Sequence, residues 1–258
     1  MSIEALPYVN WIFWGALSGG TLLAVGLTEW LGGTTRGYRL FMAVAVLIGA
    51  GIWLASEMGL APVPATDATA ELRRALVWLF GGLALGYAVA LWRTWPRTGW
   101  AVGGGVAGIA ALVSLAVAGG TANPTLFAAG LVAAAVALGS VNAAMLLGHW
   151  YLVTPKLSPA PLRRLILVVI GALVAEGLLA AWSLVVSGAD LTGDTTWLIG
   201  LRFGVGIALP LAISIAALLA TNAASLQATT GLLYIGLAMV MAGTIGAASL
   251  SYLGGTPV

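Results

Sequence analysis

LRRLILVVIGALVAEGLLAAWSLVVS, residues 162–187, decides the fold. Between Leu165 and Val186 it holds one charged side chain, Glu176. An α-helix needs about 20 such residues to cross a hydrocarbon layer about 30 Å thick, and a barrel strand would need about half as many with alternating polarity. This stretch is therefore a membrane-crossing helix.

The rest of the chain repeats the pattern. Of its 258 residues 61% are hydrophobic and 7% charged, with a mean hydropathy of +1.06. A water-soluble domain carries roughly a quarter charged residues to solvate its surface. Seven further apolar runs, at 8–31, 38–60, 72–93, 99–119, 124–152, 196–220 and 228–254, join 162–187 to predict an all-α polytopic membrane protein of eight spans. The turns between them carry Gly32-Gly33-Thr34-Thr35, Pro62-Val63-Pro64, Trp95-Pro96-Arg97, Asn123-Pro124 and Pro155 to Pro161, where proline removes a helical donor. The first run lacks the basic start and small-residue cleavage site of a signal peptide and reads as a retained helix.

Bases set the orientation. Arg36, Arg39, Arg93, Arg97, Lys156, Arg163 and Arg164 gather in alternate loops, which are expected on the cytoplasmic side of a cell membrane. Arg73, Arg74 and Arg202 fall at the other end with Glu4, Asp67, Glu71, Asp190 and Asp194, so both termini are expected outside. Trp11, Trp30, Trp92, Trp95, Trp100, Trp150 and Trp197 stand at span ends and read as interfacial anchors. Four glycine pairs, Gly15/Gly19, Gly82/Gly86, Gly104/Gly108 and Gly200/Gly204, have the spacing that lets membrane helices approach closely. Ala16–Trp30 also lies over Val136–Trp150, matching Gly19 with Gly139, Ala24 with Ala144, Leu27 with Leu147 and Trp30 with Trp150. That echo suits a parallel repeat of four helices plus four, with halves 1–121 and 122–258 and Glu29 in the place of His149.

Several chemistries are not indicated. The sequence contains no cysteine and one histidine, so it offers neither thiolate ligands for an iron–sulfur cluster nor two histidines for a b-type haem. It has no zinc or di-iron motif, no Walker motif and no basic stripe for nucleic acid. An ionisable group inside a span costs about 2.5–3.5 kcal/mol on insertion scales and so needs a partner, water or a function. Glu176, mid-span, is the proton-relay candidate. Glu57, near the end of the second span, and Arg202, early in the seventh, are expected at similar depth and are candidate partners. Together they could hydrogen-bond a quinone carbonyl or tie two helices; helix-tying is the simpler reading for these two, a functional role for Glu176. His149 and Glu29, at the inner ends of the fifth and first spans, are candidates for a partner contact or proton entry, and Asn142 for an interhelical hydrogen bond.

PYVNWIFWGALSGGTLLAVGLTEWLGG (7–33) followed by YRLFMAVAVLIGAGIWLASEMGLAPVP (38–64) resembles the NrfD-type family, the polysulfide-reductase membrane subunits. The likeness covers about the first quarter of the chain: a Gly-rich first helix, then a second ending in an acid, Gly and Pro. The resemblance implies a haem-free bundle of eight or more helices in two groups of four, exchanging electrons between quinone and an iron–sulfur partner. It places Glu57, with Gly59 and Pro62, beside an outer-side quinone pocket. The expected function is thus a membrane subunit of a respiratory oxidoreductase that docks an iron–sulfur or cytochrome partner. The alternatives are a small-solute or proton-coupled transporter and a purely structural anchor.

Overall fold

The computed structural model of the protein describes residues 6–60, 67–118, 123–154, 157–187 and 196–253. Glu4, Pro62, Lys156, Asp190 and Asp194 lie outside the described residues, as does the side chain of Asp67. The elements are α1 (Leu6–Leu31), α2 (Arg36–Met58), α3 (Asp67–Arg93), α4 (Thr98–Ala118), α5 (Pro124–Val153), α6 (Ala160–Ser187), α7 (Thr196–Phe203), a π-helical turn (Gly204–Ala208), α8 (Leu209–Asn222) and α9 (Leu226–Leu253). α7, the π turn and α8 form one continuous span, so eight helices are long and apolar enough to cross a membrane. No strand occurs among the described residues. The protein is an all-α polytopic membrane protein.

Local sequence sets the boundaries. Gly32 and Gly33 adopt φ of +70° and +90°, a region open to glycine at no steric cost, and turn the chain into α2. There the Thr35 side chain accepts a hydrogen bond from the Tyr38 amide and caps the helix. α5 starts with Asn123 as its cap, accepting from the Leu126 amide, and with Pro124 in the first turn, where a missing N–H costs nothing.

α1, α2, α3 and α4 pack in sequence with α4 closing against α1, and α5, α6, the seventh span and α9 do the same. The two groups meet chiefly where α1 crosses α5. These two helices form the interior: 78% and 72% of their most apolar stretches are buried, against 28% in the seventh span. At the crossing a Cβ on Gly20 would strike the Ala135 carbonyl, and one on Gly139 would strike the Gly20 backbone. Only glycine permits that approach. The Asn142 amide donates to the Thr21 hydroxyl at 3.0 Å, and the Tyr38 hydroxyl donates to the Ala143 carbonyl at 3.0 Å. Asn142 is thus an interhelical bond, as its position predicts. The outer helices expose apolar side chains such as Leu178, Val185, Ile48 and Leu219, a surface suited to lipid.

Two expectations need correction. Among the glycine pairs, Gly19 packs on Gly108 and Gly15 on Trp53, but neither Gly200 nor Gly204 has a neighbour within 4 Å. That pair faces open space. Trp30, Trp92, Trp95, Trp100 and Trp197 are exposed near span ends, whereas Trp11 is wholly buried and is not an interfacial anchor, because a carboxylate inside the bundle holds its indole.

Candidate functional site

Three buried carboxylates organise the polar interior, two with one guanidinium each and one with two. Two lie toward the end at which α1 begins and α9 finishes, called the terminal end below. The third lies at the opposite end.

Glu57, one residue before the end of α2, accepts from Arg73 of α3 through Nε, at 3.2 and 3.1 Å to its two oxygens, and through Nη2, at 3.0 Å. The Trp11 indole N–H donates to Glu57 Oε2 at 2.7 Å. Glu57 and Arg73 are each 3% exposed. The Trp11 ring lies 5.2 Å from that of Trp53, which in turn lies 5.2 Å from Phe80. Both oxygens are therefore saturated, within an aromatic wall.

Arg202 is consequently not the partner of Glu57. Its Nη2 donates to Glu176 Oε1 of α6, and both residues are almost fully buried. Sequence depth alone missed this pairing, because Arg73 reads as a loop base close to the membrane face. In the structure α3 already begins at Asp67, which carries Arg73 more than a turn into the helix and beside the end of α2. The signal that was available is chain proximity: Arg73 follows Glu57 by only 16 residues.

The Glu176–Arg202 pair differs from the first in leaving a carboxylate oxygen open. Glu176 Oε2 and Arg202 Nε have no hydrogen-bond partner, whereas in the first pair only a guanidinium nitrogen, Arg73 Nη1, lacks one. Beside them is a partly open cavity of about 30 Å³, lined by Glu176, Arg202, Thr244 and Ser251 and otherwise mainly by apolar side chains of α5, α6 and α9. An unpaired polar atom in such surroundings costs about 1–3 kcal/mol unless water or a ligand meets it. The π turn begins two residues after Arg202. There Gly206 comes so close to Gly243 of α9 that neither tolerates a side chain, and a Cβ on Gly206 would lie 3.4 Å from Arg202 Nη1. A π turn inserts a residue into the helical register and commonly stands at functional positions.

The third carboxylate is Glu29, near the end of α1. It accepts from Arg39 at 3.2 Å, from Arg97 Nε at 3.0 and 2.9 Å, and from the Tyr87 hydroxyl at 2.9 Å. Its side chain is 2% exposed, so it ties α1 to α2, α3 and the start of α4. His149 stands on the exposed side of α5, its Nδ1 3.3 Å from the Tyr234 hydroxyl. The positions that align in the sequence echo thus differ: Glu29 is a closed four-group knot, and His149 a surface pair. A second cavity, mainly apolar and about 460 Å³, lies among Gly20, Leu23, Leu27, Val102, Val136 and Val168, and no carboxylate lines it among the described residues.

No protein-family model matches the chain, and no curated protein or solved structure does either.

Proposed function

We propose that this chain is a haem-free membrane subunit of a respiratory oxidoreductase, anchoring an iron–sulfur or cytochrome partner and serving quinone chemistry in the half of the membrane nearer its termini. One observation supports the reading above others: Glu176 and Arg202 lie buried side by side with a free acceptor and a free donor at the edge of an apolar cavity. Quinone reduction and quinol oxidation move protons, and a carboxylate held beside a guanidinium in apolar surroundings can receive or supply them. The resemblance of α1 and α2 to the NrfD-type family points the same way. The loops add to it, being too short to hold an active site of their own.

Glu57 fits this chemistry poorly, since Trp11 and Arg73 saturate both of its oxygens. The quinone-facing pair in this reading is Glu176 with Arg202, and Glu57 is structural. Purification of the tagged chain from its native membrane is expected to recover a redox partner. A photoreactive quinone added to that complex should label peptides of α5, α6 or α9 in competition with unlabelled quinone. A chain that purifies alone, with no competable label, would contradict the proposal.

The π turn beside Arg202 favours a second reading, transport, because interrupted helices at mid-membrane mark substrate paths in many transporters. That reading requires flux in proteoliposomes of the chain alone, abolished by Glu176→Gln.

A further inference from the structure

The correspondence between α1 and α5 extends beyond sequence. Adding 120 to a residue number in α1 gives its counterpart in α5, as with Gly19 and Gly139 or Trp30 and Trp150. The contacts around the crossing are reciprocal: α4 meets α5 as α9 meets α1, and α2 meets α5 as α6 meets α1. A two-fold axis along the membrane normal generates that pattern. With an offset of 119, Glu57 of α2 falls on Glu176 of α6. Arg73 of α3 likewise answers to Arg202 of α7, each six residues after the first residue of its helix.

We infer that the chain contains one glutamate–arginine element twice, and that only the second copy, Glu176–Arg202, is a proton-exchange site reached by water, the first being plugged by Trp11. The inference rests on the proposed function only for what the protons serve.

The difference between the copies is written in the helix facing each glutamate. Asn10, Trp11 and Trp14 of α1 correspond to Gly130, Leu131 and Ala134 of α5. Every one of these is smaller in the second copy. In the first, the Trp11 N–H occupies Glu57 Oε2, and the Trp14 indole donates to Asn10, whose amide donates to the Ser56 hydroxyl. In the second, Gly130, Leu131 and Ala134 border the cavity, and the corresponding Glu176 Oε2 is unpartnered. The plug's donor is missing where the space is open.

Size and chemistry identify the occupant. A volume of about 30 Å³ admits about two water molecules, given roughly 10–15 Å³ for each. Water donates and accepts, so it suits a lining whose carboxylate keeps an unpaired oxygen and whose guanidinium keeps an unpaired N–H. Thr244 and Ser251 donate their own hydroxyls to the Val240 and Ala247 carbonyls, each at 3.0 Å, which leaves their oxygens as acceptors for further water. Ser251 lies two residues before the end of α9, so these groups lead from Glu176 toward the terminal end. Among the described residues no charged side chain other than Glu176 and Arg202 lines the cavity. A hydronium arriving along this row transfers its proton to the carboxylate, leaving water and a neutral carboxylic acid; release reverses the step.

The test is hydroxyl-radical footprinting by X-ray radiolysis of the full chain in lipid nanodiscs, in which bound water oxidises the side chains it touches. Phe127 and Leu131, which border the cavity, should be oxidised at least severalfold faster than Leu138, which is fully buried on the same helix away from it. Leu131→Trp should suppress the labelling of Phe127, and Gly130→Val, where an added Cβ meets nothing within 4 Å, should do so if the larger change fails to fold. Trp11→Leu should in turn raise the labelling of Trp53 and Phe80. Equal labelling of Phe127 and Leu138, or labelling that survives both cavity-filling variants, would overturn the inference. If the footprint behaves as expected but quinone-dependent electron transfer in the native complex survives Leu131→Trp and Glu176→Gln, the water site stands and the respiratory reading falls.

Discussion

A carboxylate in a membrane has two oxygens to satisfy, and at Glu57 three donor groups do so: the Trp11 indole and Nε and Nη2 of Arg73. Trp11→Phe removes one charge-assisted hydrogen bond and leaves the ion pair, an expected loss of about 1.5–3 kcal/mol that denaturant unfolding in detergent would measure. Arg73→Met leaves a buried carboxylate without its counter-charge, and the expected cost rises to about 3–5 kcal/mol. The Glu57→Met/Arg73→Met double variant should regain most of that, because replacing both partners of a buried pair by apolar groups is often near neutral. A double variant as unstable as Arg73→Met alone would show that the pair does more than fill and tie. Neither Trp11 nor Arg73 was legible as part of a site from sequence. A tryptophan near a helix start has the composition of an interfacial anchor, and its burial depends on which way α1 faces, a quantity that nearly uniform hydropathy conceals.

At the level of elements, the sequence was far more informative. Runs of apolar residues and the punctuation between them place all eight spans within a few residues of the observed helices, for example 162–187 against Ala160–Ser187. The reason is physical: in lipid the backbone must satisfy its own hydrogen bonds, so a long apolar run has little choice but helix. The π turn has a weaker signal. Gly-Val-Gly-Ile-Ala at 204–208 reads as ordinary membrane helix, but Pro210, two residues on, removes a helical donor in mid-span, and Gly206 packs there on Gly243. Gly206→Val or Gly243→Val should therefore destabilise the protein by about 1–3 kcal/mol or more. Gly200→Ala and Gly204→Ala, which meet nothing within 4 Å, should be neutral or mildly stabilising by up to about 1 kcal/mol. Thermal unfolding of the four variants separates packing glycines from permissive ones. The reverse order would mean that the seventh span sits differently against α9.

Across the whole molecule, two four-helix groups share a crossing of α1 and α5 that glycine alone permits, and each encloses one glutamate–arginine pair. The Glu29 knot fastens the first group at the opposite end. The weak echo around Gly19 and Gly139 traces this arrangement in the sequence but not its ion pairs, since insertion costs constrain a membrane charge to find a partner without naming it. On the proposed function the same organisation divides the labour: Glu57 holds the first group together, and Glu176 handles protons. The most direct measurement is the quinone-dependent electron-transfer rate, per assembled native complex, of Glu57→Gln and Glu176→Gln. Loss of a general acid–base group costs roughly 100-fold or more, so Glu176→Gln should fall by that much while Glu57→Gln lowers the yield of complex and keeps its rate. A Glu176→Gln complex at full rate, with Glu57→Gln inactive, would contradict the account and return the chemistry to the first group of helices.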